Sequence, residues 1–265
     1  MYEDVKKLYG NWEKGNDPWT SSAAGKGTET GPDRFLYYVY PDSRISMQQA
    51  VTEVLFRAPD TDTDREGVYA ADMFTGYLSQ AESHYKSVLC SDQYLKIPGY
   101  GCCAASYEVY RRNSMINFTV VMNTPDSEIP ERTKRIVSRL YNTILPDIAY
   151  NKQYLSGGIL KNLSDNISTD RIYTEQTPSG QLSALRSVWE RCGADYYLSY
   201  PEKMKKVTEE NVMSMIQNYL MESFPVTVVV VNPEIYEMYR KEFSDAGFVK
   251  IESENAFWWQ QEAQK

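Results

Sequence analysis

Few residues of this 265-residue chain have types suited to chemistry, and their spacing narrows what that chemistry can be. His84, in AESHYKS, is the only histidine, so no site that needs two imidazoles can be built. The four cysteines form no Cys-x-x-Cys pair. Cys102 and Cys103 are adjacent and on a strand would point to opposite faces, while Cys90 and Cys192 are far apart in sequence. All four read as small buried hydrophobic residues. His84, near a helix boundary, reads as a surface or capping residue. The remaining candidate is YLKIPGYGCC, where Tyr100 lies between Gly99 and Gly101 at the mouth of a hairpin. Lys96 is the only cation between Cys90 and Tyr100. In a chain with 22 tyrosines, the plain reading of Tyr100 is a turn residue packed over that hairpin.

The elements that must position these residues follow from the pattern of apolar residues. RFLYYVYP reads as a strand ended by proline. QQAVTEVLFRAP reads as a second strand, with Ala50, Thr52, Val54 and Phe56 on one face. Thr63, followed by Glu66, suggests a capping box before a helix that carries Val68, Ala71, Phe74, Tyr77 and Leu78 and runs to about Ala81. A short helix over SHYKSVLCSDQYL leads to the hairpin, in which Ile116, Phe118, Val120 and Met122 alternate. YRRN, with Arg111 and Arg112, forms its solvated tip. SEIPERTKRIVSRLYNTIL is a helix with Pro130 in its first turn. The next stretch, from Asp147 to Gln176, is helical with an interruption at Gly157 and Gly158. GQLSALRSVWERCG is a helix with an apolar stripe at Leu182, Leu185, Val188 and Trp189 and a left-handed cap at Gly193. Thr208 caps another helix, with Glu209 and Glu210 favouring its N-terminal dipole. VTVVVVNP is a buried strand, and GFVKIES a last short one. A helix over residues 3–12 and a Gly-, Ser- and Thr-rich connector precede all of these.

Hairpins among several helices predict an α+β fold, a mainly antiparallel β-sheet with helices packed on one face. Three stretches are expected: 1–33 as N-terminal helix and connector, 34–231 as the main domain, and 232–265 as its C-terminal helix, short strand and tail. A hydrophobic content of 42% with 24% charged residues fits a globular chain. A net charge of −8 leaves no basic stripe to neutralise phosphates, which argues against nucleic acid. No apolar run approaches the ~20 residues of a membrane helix. The opening MYEDVKKLYGNW shows no apolar signal core, and the compartment, periplasmic or cytoplasmic, stays open.

Four phrases in this order resemble one repeat unit of the insulinase/pitrilysin family of zinc peptidases. They are QQAVTEVLFRAPDTDTDREGVYAADMFTGYLS, SHYKSVLCSDQYLKIPGYG, FTVVMNTPDSEIPERTKRIVSRL and PEKMKKVTEENVMSMIQNYL. The match runs from about Gln48 to Val231 and is to the inactive, C-terminal domain. Active members of that family hold zinc with H-x-x-E-H, which a chain with one histidine cannot supply. The resemblance therefore implies a unit that is not catalytic by itself, with zinc in a catalytic partner unit and no metal site here.

In such proteins the inactive unit lends a tyrosine and an arginine to the substrate, where a phenol and a guanidinium can donate to a developing oxyanion. By position Tyr100 matches the tyrosine, and Gly99 and Gly101 would allow close backbone approach. The arginine is missing: Cys90 stands in its place, and Lys96 lacks the planar fork of a guanidinium. Tyr100, Gly99 and Lys96 are thus the substrate-binding candidates. The implied partners are a catalytic insulinase-like domain or subunit and a peptide substrate, and the net negative charge favours basic peptides.

Two alternatives stand beside this reading. One is a structural or interaction module of the same fold with no peptidase activity. The other is an unrelated α+β domain that binds a ligand through NAFWWQQ and YYLSYP.

Overall fold

A computed structural model describes residues 32–123 and 125–252. The helix expected at 3–12, most of the connector and the NAFWWQQ tail lie outside the described residues. Strand β1 (Leu36–Pro41) is followed by β2 (Gln49–Arg57), helices α1 (Gly67–Ser79) and α2 (His84–Ser91), and the hairpin β3 (Cys103–Glu108) and β4 (Met115–Asn123). Helix α3 (Ile129–Arg139) continues through a wider π-turn at Leu140–Ile144 into α4 (Leu145–Tyr150). Then come α5 (Gly157–Thr174), α6 (Pro178–Cys192), α7 (Ala194–Met204), α8 (Glu209–Met215), β5 (Val226–Val231), α9 (Pro233–Met238), α10 (Arg240–Asp245) and β6 (Val249–Lys250).

The strands form one sheet in the order β3-β4-β2-β5-β1-β6. The pairs β3·β4, β4·β2 and β2·β5 are antiparallel, and β5·β1 and β1·β6 are parallel. Three of the five pairings are antiparallel, which fits the expected α+β class; the two parallel pairs arise because β1 lies beyond the late strand β5 and β6 joins its other edge. Alternation decides which side is buried. Ala50, Thr52, Val54 and Phe56 of β2 face inward beside Met122, Val120, Phe118 and Ile116 of β4. Val51, Glu53 and Leu55, with Val121 and Thr119 opposite, lie on the other, half-buried face.

The inward face meets Val68, Phe74 and Leu78 of α1, Ile136 of α3, and Val212 and Ile216 at α8, all 0% exposed. Thr208 caps α8 as expected: its hydroxyl accepts the Asn211 amide, and the Asn211 side chain returns to the Thr208 amide.

Three local expectations fail for identifiable reasons. The Thr63–Glu66 capping box does not form. Asp60 accepts the Thr63 amide and hydroxyl at 3.0 and 2.8 Å, Asp64 accepts the Gly67 amide at 2.9 Å, and Glu66 instead pairs with Lys203 at 2.5 Å. Gly157 and Gly158 do not interrupt a helix but begin α5, after a short turn at Lys152–Leu155. The stripe on α6 is only partly covered: Val188 packs against the core, but Leu182 is 68% and Trp189 59% exposed. Gly193 does take a positive φ of 88°, but with ψ of 160° it leaves α6 in an extended direction rather than a left-handed turn.

Candidate functional site

The segment from Asp92 to Cys102 links α2 to the edge strand β3. A single helical turn at Gln93–Leu95 buries Leu95 completely and leaves Tyr94 37% exposed. Lys96 then reverses the chain with a φ of 54°, a conformation uncommon for a residue with a side chain. Its carbonyl accepts the Asn123 amide at 3.0 Å, which ties the turn to the end of β4. Gly99 is extended, and its carbonyl accepts the Cys102 amide at 2.9 Å to close the turn Tyr100–Cys102. Tyr100 is 43% exposed. A Cβ placed on Gly99 or on Gly101 would meet nothing within 4 Å. Nothing in the described chain beyond their own neighbours crowds these glycines.

Lys96, Gly99 and Tyr100 therefore belong to one tethered loop, but Lys96 is already engaged. Its Nζ lies 2.8 Å from Asp126 Oδ2, and that same oxygen accepts from Arg132 at 2.7 Å. Arg132 also reaches Glu128 at 3.1 Å, although its side chain is only 1% exposed. Burial pushes the Asp126 carboxyl up, but the bonds from Arg132, Lys96 and the Glu128 amide outweigh it and hold the pKa at about 2. Arg132 and Arg135 sit 5.5 and 5.2 Å from the Tyr94 ring centre, and Arg135 and Arg139 both pair with Asp92. Burial acts against the Asp92 carboxylate, yet the two guanidiniums still lower its pKa.

Sequence reasoning missed this arginine ladder. The signal was available: Arg132, Arg135 and Arg139 recur at helical spacing beside the apolar stripe of α3. The ladder brings guanidinium groups to the turn that holds Lys96, but all three are committed to carboxylates of this chain.

The other candidates are structural. Cys90, at the position of the absent arginine, packs against the core with its sulfur 4.0 Å from that of Cys103. Burial raises both thiols, Cys103 far above the ordinary range, which suits unreactive packing groups. His84 is neither a surface residue nor a cap. Its side chain is 15% exposed, its Nε2 lies 2.8 Å from Asp147 Oδ2, and its ring stacks on Tyr154 at 4.4 Å. Arg111 and Arg112 sit exposed at the hairpin tip as expected, with Arg112 Nε 3.2 Å from Asp62.

No family model matches the sequence, and no curated protein matches it. Solved structures do. A protease from Helicobacter pylori superposes over 86% of this chain and 51% of its own, with a TM-score of 0.61 and 14% identity. The inactive peptidase domain of a proposed zinc protease from Bordetella parapertussis aligns over 70% of this chain and 93% of its own, with a TM-score of 0.54 and 11% identity. A peptidase M16 inactive domain from Pseudomonas fluorescens aligns over 77% and 45%, with a TM-score of 0.54 and 12% identity. The chain has the insulinase/pitrilysin-type peptidase fold. It spans about half the length of the Helicobacter protein.

Zinc is the metal this fold implies, and the donor set here does not fit it. Among the described residues no three His, Cys, Asp or Glu side chains group as metal ligands. The sole histidine is paired with Asp147 and stacked on Tyr154. Structural zinc sites take four such ligands and catalytic ones three, more than the described residues bring together.

Proposed function

We propose that this chain is the non-catalytic unit of an insulinase/pitrilysin-like zinc peptidase, which encloses peptide substrate and helps to position it for an active unit. The observation that carries this reading is the superposition on the Bordetella inactive peptidase domain along 93% of that domain's length, in a chain that has one histidine. The active unit, in the same polypeptide or in another, supplies the zinc. Residues 34–231, with 232–265 as their continuation, make up the enclosing wall. The half-buried sheet face and the exposed loop at Gly99–Tyr100 are the surfaces offered to substrate. Tyr100 is suited to its part because a phenol on an open, tethered loop can donate to a substrate carbonyl. Lys96 orients the loop through Asp126 rather than reaching substrate freely.

One observation favours a second reading, a structural or interaction module without peptidase activity. The arginine implied by the resemblance is replaced by Cys90, which faces the core, and the nearby arginines are all occupied.

The test is reconstitution with an H-x-x-E-H protein encoded beside or upstream of this sequence. Peptide cleavage is expected from the mixture and not from this chain alone. Tyr100→Phe should lower kcat about 100-fold or more with assembly unchanged, as loss of one oxyanion donor does. Cleavage at full rate by the active protein without this chain would favour the module reading. Unchanged turnover in the Tyr100→Phe complex would remove Tyr100 from the site.

A further inference from the structure

A cleft of about 640 Å³ opens between α5 and the connection from α7 to α8. It falls within the size range of small-molecule sites. Its apolar wall is Leu160, Met204 and Val207. Leu160 and Met204 are buried and Val207 is half-buried.

Ser164 also lines the cleft, and it is 5% exposed with no hydrogen-bond partner for its hydroxyl. That is unusual for α5. Ser168, Thr169 and Thr174 each donate to the carbonyl four residues back, at 2.8, 2.8 and 2.9 Å. Ser164 makes no such bond, although an unpaired buried hydroxyl is costly.

Around the cleft stand two cations, Lys161 and Lys205, and two carboxylates, Asp165 and Glu209. None of the four forms an ion pair among the described residues. A third acid, Glu210, is taken by Lys152 at 3.1 Å.

We propose that this cleft binds a short peptide of two or three residues with free termini and apolar side chains. The charge balance excludes a simple anion or cation as the best ligand, because either would meet two repelling groups. A zwitterion places its carboxylate by the lysines and its ammonium by Asp165 and Glu209. The apolar wall takes a side chain, and the buried Ser164 hydroxyl rotates towards the cleft to pair with an internal amide. The site does not depend on the peptidase reading: it is built from helices and their connection, and Tyr100 takes no part in it.

Calorimetric titration of the intact chain with the tripeptide Leu-Ala-Leu, at low salt, tests the proposal. Saturable 1:1 binding is expected. N-acetylation or C-amidation of the peptide should each weaken it about tenfold, the usual scale for a hydrogen bond to a charged group. Ser164→Ala, with an unchanged unfolding curve, should weaken it several-fold. Lys161→Met combined with Lys205→Met should abolish discrimination against the C-amide. Absence of saturable binding at millimolar peptide overturns the proposal, as does equal binding of free and capped peptides, a result that needs no variant to fold.

Discussion

The two ends of this molecule use the same kind of apolar pattern differently. In α1 and α3 the helical stripe disappears from solvent, and Phe74, Leu78 and Ile136 are 0% exposed against the sheet. In α6 and α7 only part of it does: Cys192, Tyr196 and Met204 are buried, but Leu182, Trp189 and Leu198 are 68, 59 and 71% exposed. Polar and aromatic contacts add to that partial burial. Tyr196 stacks on Tyr69 at 5.4 Å, and Tyr200 donates to Asp72 at 2.5 Å. Arg171 lies 4.1 Å from the Tyr197 ring centre and donates to the Tyr197 carbonyl. Burial raises the Asp72 carboxyl despite the bond from Tyr200. Periodicity therefore reports that a segment is helical, but it does not report what the apolar side touches.

The sharpest way to break this contrast is Phe118→Ala. Phe118 is fully buried at the centre of the sheet, with Tyr85 and Phe56 rings at 5.5 and 5.8 Å. Truncation should destabilise the protein by about 3–5 kcal/mol, the usual cost of a large core cavity. Urea unfolding followed by circular dichroism measures it. A loss below about 1 kcal/mol would show that the sheet side is no better packed than α6.

Much of this half of the fold was legible because local pattern and burial coincide there. Ala50 to Phe56 and Ile116 to Met122 alternate in sequence and alternate in burial. The Thr208 cap depends only on neighbours within one turn, and it forms. What was missed depends on partners distant in sequence. Glu66 leaves its expected cap because Lys203 is within reach, and His84 is covered because Asp147 and Tyr154 meet it. No local signal marks β1 as the parallel neighbour of β5, 185 or more residues later. At the candidate site, Tyr100 and its glycines are singled out only through the family resemblance. The occupation of Lys96 by Asp126 could not be read from the sequence, because it depends on where α3 begins.

A smaller effect is expected at the arginine ladder, which joins the Tyr100 loop to α3. Arg132→Met keeps the buried stem but removes the fork that holds Asp126 and Glu128. The loss should be about 1–3 kcal/mol, limited because both carboxylates can regain water. The pH dependence identifies the cause. Asp126 is depressed to about 2 in the folded protein, below the roughly 3.9 of an unfolded aspartate. Its contribution is therefore complete above about pH 4 and lost as pH falls towards 2. In Arg132→Met that acid-induced loss should shrink. An unchanged acid limb in the variant would assign the low pKa to Lys96 and the Glu128 amide alone.

The least effect is expected on the exposed side of α6. Leu182→Ser removes a side chain that lies mostly in solvent beside Leu185, Arg186 and Trp189. Stability should change by no more than about 0.5 kcal/mol, as for surface substitutions elsewhere. The same urea titration decides it, and the result carries weight only beside Phe118→Ala. Two apolar residues at helix- and strand-periodic positions would then differ about tenfold in cost, and the difference would lie wholly in what each one packs against. A Leu182→Ser loss above about 1.5 kcal/mol would mean that this face is covered in solution, and the contrast between the two ends would disappear.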